Sequence, residues 1–147
     1  GAYLEDAVSA GNWTVIGALR ADRYELDASS DPIYLEDYPF AEPVSLADSE
    51  LSPKLGVIYR PADAFDLYLQ YSHGFRAPPY EDANIGLELP VFNIRAIPNP
   101  DLRSERSDGV DLGFRWRGNG SNAYLSLFRT RYEDFIESKV RIGADPD

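Results

Sequence analysis

The 147-residue sequence contains no cysteine, no methionine and a single histidine, His73. Without cysteine there is no disulfide and no thiolate metal site. With one histidine, a zinc centre built on several imidazoles is excluded. Basic residues are scarce: 14 Lys and Arg stand against 25 Asp and Glu, a formal net charge of -11. A nucleic-acid binder normally carries a basic face, so nucleic acid is set aside as a partner. A cationic ligand or a basic partner stays open. No apolar run approaches the roughly 20 residues of a membrane helix, but a membrane strand needs only about 9–11 residues of alternating polarity. Methionine is missing even at position 1, and a strand-like pattern runs from the first residues. The chain therefore reads as a piece of a longer protein.

What is present alternates with a period of two, the signature of half-buried strands, and no segment carries a helical apolar stripe. The stretch "AYLEDAV" is a short candidate strand, followed by "WTVIGALRADRYEL", with Val15, Gly17, Leu19 and Ala21 on one face. "SPKLGVIYR" sets Leu55, Val57 and Tyr59 against Lys54, Gly56 and Arg60. "FDLYLQYSHGFR" puts Leu67, Leu69, Tyr71, His73 and Phe75 opposite Tyr68, Gln70, Ser72 and Arg76. "SDGVDLGFRW" opposes Val110, Leu112, Phe114 and Trp116 to Gly109, Asp111, Gly113 and Arg115. "AYLSLFRTRYEDFI" closes the set with an ambiguous facing, because Arg129 and Arg131 share parity with Leu125 and Leu127.

The connections fall into two kinds. Tight turns are expected around Gly11, at Pro61–Ala64 and at Gly118–Asn122. Long loops are expected near 27–52, which has seven acidic residues and no basic one between Asp27 and Glu50, and near 77–103. Loops of that length in a compact domain are commonly functional. In an up-and-down meander this order puts every tight turn at one end and every long loop at the other, the plan of an outer-membrane barrel. The predicted fold is thus all-β, an antiparallel up-and-down meander of about six strands. The alternative is a soluble antiparallel β-domain acting as an extracellular binding or adhesion module. It would need a second layer over the apolar band of Leu55, Val57, Leu67, Leu69, Val110, Leu112 and Phe114.

Two motifs within this frame resemble those of TonB-dependent outer-membrane receptors, in the branch of haem, haemoglobin, transferrin and lactoferrin receptors. Phe75-Arg76-Ala77-Pro78 is similar to the family's "FRAP" box, and Asn99-Pro100-Asp101-Leu102 to its "NPNL" or "NPDL" box. "YEDFIES" resembles a strand end of the same family. The resemblance spans most of residues 1–138. It implies a 22-stranded barrel in the outer membrane of a bacterial cell, of which residues 1–147 supply about six strands without the plug domain or TonB box. It further implies as partners the outer-membrane lipid, the remaining strands and plug, and a TonB complex reached through the missing N-terminal part. The implied activity is uptake of an iron-containing ligand, haem or a ferric siderophore, with no covalently bound cofactor. The chain departs from the haem branch in one respect. The loop between the boxes has no histidine, and His73 precedes the first box.

Candidate ligand contacts are His73, Arg76, Tyr80, Glu81, Phe92 and Arg95. Tyr80 would be an oxygen ligand to haem iron. His73 reads either as an interfacial aromatic at the barrel rim or as a haem contact or pH-sensitive group. Arg76 reads as an anchor at the loop base or as a grip on an anionic ligand. Pro78-Pro79 ends strand pairing, because proline offers no N–H to a ladder, and Asn99-Pro100 serves as the returning turn. No converging set of acids, bases or nucleophiles is present, so neither catalytic nor metal-ligating residues are assigned. Six strands leave open edges, which in lipid cost several kcal/mol per unpaired group. The chain is expected to need the rest of its barrel.

Overall fold

The computed structural model describes residues 1–37, 43–92, 94–137 and 143. Among these residues eight strands form: β1 (Ala2–Ala10), β2 (Trp13–Leu26), β3 (Leu46–Ala62), β4 (Phe65–Arg76), β5 (Leu87–Leu89), β6 (Ile94–Ala96), β7 (Glu105–Gly118) and β8 (Ser121–Glu133). Two short helices, α1 (Pro32–Asp37) and α2 (Tyr80–Asn84), and a 3-10 turn at Pro90–Phe92 lie in the connections. Six strands make one sheet in the order β1-β2-β3-β4-β7-β8, and β5 and β6 pair as a separate hairpin. The antiparallel meander expected from the alternation is the observed one.

Three connections are two-residue turns: Gly11–Asn12, Asp63–Ala64 and Asn119–Gly120. Gly11 and Gly120 take φ of +57° and +79°, the left-handed region in which a Cβ is strained. Arg60 N–H donates to the Asn12 carbonyl at 2.8 Å, and Arg117 N–H donates to the Ala64 carbonyl at 2.8 Å. These bonds tie neighbouring turns together, so the tight turns share one end of the sheet. Pro61, expected to open the turn, lies within β3, where a register shift between Tyr59 and Ala62 accommodates it.

The first of the expected long loops is shorter than the alternation implied. The acidic stretch does not run unstructured to residue 52, because β3 begins at Leu46. Asp48 and Glu50 there are alternate residues of a strand, not loop charges. Connection 77–103 is not structureless either, since it contains α2, β5, the 3-10 turn and β6, and β7 starts at Glu105.

One face of the six-stranded sheet is apolar and open. Register sets Leu4 opposite Leu19 and Val8 opposite Val15, Val57 opposite Leu69, and Leu112 opposite Leu127. Apart from the half-buried Val57, these side chains remain 41–73% exposed together with Leu55 and Leu67. Rings collect at the tight-turn end. Trp13 and Tyr59 stack at 4.3 Å, and Phe65 and Phe114 at 5.9 Å. On the edge strand β1, Asp6 interrupts the apolar row and accepts the Ala7 N–H at 2.8 Å. A charge on an edge strand discourages stray pairing.

The opposite face is polar and packed. The Tyr68 ring lies over Gly113, where an added Cβ would run into it. Its hydroxyl meets Tyr124 and reaches Asp111 and Ser126 at 3.4 Å. Asp66 is nearly buried among three guanidinium groups: Arg117 at 2.7 Å, Arg60 at 3.3 Å and Arg115 at 3.9 Å. A cavity of about 280 Å³ opens beside Arg60, Asp66, Tyr68, Gln70 and Arg115.

Gly113→Ala is expected to cost about 1–3 kcal/mol, because the Tyr68 ring must leave its bonds. In a Tyr68→Ala background the same change is expected to cost less than about 0.5 kcal/mol. Denaturant unfolding of the four variants of this cycle measures the difference, and an equal cost in both backgrounds would show that Tyr68 is not what Gly113 accommodates.

Candidate functional site

The two motif boxes bracket the connection from β4 to β7. Phe75 and Arg76 are the last residues of β4, Ala77 follows, and Pro78 is buried. Pro79 caps α2 with extended dihedrals, φ -63° and ψ 139°. The double proline thus ends pairing and at once sets the start of a helix, and Glu81 and Asp82 occupy the first turn, where negative charge is favoured. At the far side Asn99 Oδ1 accepts the Asp101 N–H at 3.1 Å, and Leu102 N–H donates to the Asn99 carbonyl at 3.4 Å. The second box is therefore an Asx-type turn. The Asp82 carbonyl accepts the Asn99 N–H at 2.9 Å, so α2, which follows the first box, is tied to the second box.

Asn84 organises this region. It is 6% exposed, and its side chain takes both backbone groups of Val44: Val44 N–H donates to Oδ1 at 2.6 Å, and Nδ2 donates to the Val44 carbonyl at 3.2 Å. The Tyr34 hydroxyl donates to the Asn84 carbonyl at 3.0 Å. Tyr34 comes from α1, where Asp31 accepts the Tyr34 N–H at 2.7 Å as an N-cap ahead of Pro32. Glu105 accepts the Ile136 N–H at 2.7 Å. By Cα proximity, 24–48, 77–105 and 134–147 form one unit, and the strand segments 1–23, 49–76 and 106–133 form another.

The candidate residues divide between these units. His73 belongs to the strand unit, on the outward parity with Leu69 and Tyr71. Its Nδ1 lies 3.0 Å from Asp108, which also accepts the Tyr71 hydroxyl at 2.6 Å. Its Nε2 is 3.9 Å from Glu50, and Glu50 accepts from Arg106 at 2.6 Å. The register places Asp108 opposite Arg131 and Val110 opposite Arg129. The apolar face gives way to a polar rim at this level, which accounts for the two arginines that shared parity with leucines. Arg76 is also in the strand unit and exposed.

Tyr80, Glu81, Phe92 and Arg95 belong to the connection unit. Tyr80 opens α2 half-buried, Glu81 is exposed beside it, and Phe92 is 71% exposed in the 3-10 turn. Arg95 lies in β6, and its side chain is outside the described residues. Among the described residues no three His, Asp or Glu side chains converge on a metal-sized site. Alternation had no way to show Asn84, Glu50 or Asp108 as partners, since each acts across strands or segments far apart in sequence. The Asp31-Pro32 and Pro79 helix starts did carry a local signal in their capping residues.

Comparison with known proteins agrees with this architecture. Residues 1–146 match the family model described as "TonB dependent receptor-like, beta-barrel". Hemoglobin-haptoglobin utilization protein B of Neisseria meningitidis (serogroup A) is 30% identical over 142 residues, 92% of this chain and 17% of that protein. Hemoglobin and hemoglobin-haptoglobin-binding protein B of Haemophilus influenzae is 34% identical over 95 residues, 65% of this chain and 9% of that protein. The FrpB iron transporter of Neisseria meningitidis (F5-1 variant) superposes with a TM-score of 0.59 at 20% identity, covering 87% of this chain and 17% of that one. The chain thus spans under a fifth of the length of each of these proteins.

Asn84→Ala is expected to release both Val44 backbone groups at a local cost of about 1–3 kcal/mol. Hydrogen exchange in the full-length parent checks it: protection should fall at Val44 and Ile85 while β4 and β7 amides stay protected. Unchanged exchange at Val44 would show that the Asn84 side chain does not hold the segment.

Proposed function

The chain belongs to the TonB-dependent receptor-like β-barrel family, and we propose on that premise that it forms part of the wall of an outer-membrane receptor that takes up an iron-containing ligand. The observation that carries this reading is the family match over nearly the whole chain, on a sheet with one open apolar face, one packed polar face and its tight turns at one end. A soluble domain would cover Leu55, Leu67, Leu69, Val110 and Leu112, yet they stay 41–50% exposed. Lipid is the covering that such a face suits. The polar face, with Asp66, Gln70 and Asp111, suits a lumen, where the plug of the full receptor would pack. In a 22-stranded barrel these six strands are one part, and TonB engages elsewhere in the parent protein.

Transport is by capture and passage, with no covalent chemistry. The ligand is haem or a ferric siderophore, and the haem side is supported by relatives named for haemoglobin and haemoglobin-haptoglobin. The connection between the boxes faces outward in this reading, with Tyr80, Glu81, Phe92 and Arg95 as its ligand contacts. Arg76 anchors its base. His73, held by Asp108 and close to Glu50, serves as a rim residue more readily than as an iron ligand.

Titrating the full-length receptor in outer membranes with haem and haemoglobin, and following the Soret band, tests this. A saturable shift is expected in the wild type. Tyr80→Ala should weaken it about tenfold or more, roughly the effect of losing one binding hot spot. His73→Ala should leave it within about twofold, the size of a lost peripheral contact. No shift in any variant would exclude haem and leave ferric siderophores as the cargo.

A further inference from the structure

The polar face of the sheet carries more cationic charge at its tight-turn end than its buried carboxylate can answer. Asp66, on β4, is 6% exposed. Arg117, on β7, donates to both of its oxygens, at 2.7 Å and 3.2 Å, the forked geometry of a full ion pair. The Asp63 carbonyl accepts from the same guanidinium at 3.4 Å. Arg117 is thereby satisfied. Arg60, on β3, adds a 3.3 Å contact to Asp66 through Nε and a 3.5 Å bond to the Thr14 hydroxyl. Arg115, on β7, stops at 3.9 Å, an ion pair without a hydrogen bond. The side chains of Arg60 and Arg115 are each 53% exposed. A guanidinium has five N–H donors, so most of this pair's donors are uncommitted among the described residues.

Both arginines line one cavity of about 280 Å³, together with Asp66, Tyr68, Gln70 and Tyr124. All six residues belong to the strand unit. Pockets for drug-sized ligands run from roughly 300 to 1,000 Å³, so this one suits a single small acidic group and not a chelate of haem's size. The sign of the field follows from the pairing. Asp66 is answered by Arg117, and Asp111, across Tyr68, accepts the Ser126 hydroxyl at 2.5 Å. Arg60 and Arg115 therefore set a positive field in the cavity. We propose that Arg60 and Arg115 together bind one oxyanion, a carboxylate or phosphate group, which the guanidinium fork matches in shape. The two arginines come from β3 and β7, the strands on either side of β4, so the bound group bridges three strands at their tight-turn end. Two sources supply this chemistry: an Asp or Glu side chain of the parent protein outside residues 1–147 that packs on the polar face, or a free small anion. The site stands on the polar face alone and is independent of the cargo.

The full-length parent in outer-membrane vesicles tests the proposal in two arms, one for each source. Arg115→Lys keeps the charge and introduces an amine, which a carbodiimide joins to any carboxylate in contact with it. Recovery of a cross-linked peptide carrying an Asp or Glu from outside residues 1–147 identifies the protein's own chain as the source. Arg60→Lys, cross-linked in the same way, keeps this arm readable if the first variant does not fold. In the wild type, phenylglyoxal modifies arginines and peptide mass spectrometry reads each position. Inorganic phosphate, added at constant ionic strength, should slow modification of Arg60 and Arg115 together. The slowing should be about tenfold at about ten times the half-protecting concentration, as occupancy of one site requires. Arg131, 76% exposed on β8, should be unaffected. Selective protection of that kind identifies a free anion as the source. Cross-links to Asp66 alone, or none, combined with modification that phosphate does not slow, overturn the proposal. Slowing that falls equally on Arg131, without a cross-link outside residues 1–147, also overturns it, because that is not site occupancy. Neither readout involves iron, so the Soret titration decides the uptake reading separately.

Discussion

Everything in this chain depends on strands that must satisfy their backbone groups on their neighbours. A long strand offers a polar N–H and C=O at every residue, and in an apolar surrounding only another strand can take them. The sheet meets this by pairing hairpins over most of their length, from Ala2 opposite Ala21 to Ala10 opposite Trp13, and from Arg106 opposite Glu133 to Gly118 opposite Ser121. Two-residue turns keep that register without slack, and a one-residue slip would turn every side chain to the wrong face. Strands β1 and β8 are left at the edges, and in a closed barrel other strands take their outer sides.

With pairing fixed, the two faces diverge. The apolar face keeps its leucines and valines in the open and sets its rings near the tight turns, while Tyr71, His73, Asp108, Arg129 and Arg131 form its other limit. On the polar face small and large residues interlock across strands, as Tyr68 does over Gly113. Asp66 is held by three arginines that themselves stay about half exposed. Surface ion pairs contribute little singly, but one nearly buried carboxylate shared among several guanidinium groups fixes the ends of β3, β4 and β7 to one another.

The connections follow a different rule. They are held by single polar side chains acting on backbone, with Asn84 on Val44, Asp31 on Tyr34 and Asn99 on Asp101 as the instances. That economy leaves apolar residues such as Val91 and Phe92 free to face outward. It also lets the connections hold nearly all the acidic surplus without disturbing the sheet, whose own charges are close to balanced.

Strands of regular alternation were legible in the amino-acid order alone. Strands β2 and β4 match the stretches "WTVIGALRADRYEL" and "FDLYLQYSHGFR" residue for residue, because period-two patterning and turn residues are local properties. The family boxes and the placement of short and long connections were equally local. Tertiary structure alone decided the rest. Leu46 to Leu51 became strand despite Asp48 and Glu50, since pairing within the sheet overrides a weak local preference. Arg129 and Arg131 found their face only through Val110 and Asp108 on β7. His73 acquired Asp108 and Glu50, and Val44 acquired Asn84, across 35, 23 and 40 residues of chain. Periodicity reports which way a side chain points, and only the folded sheet reports what it meets there.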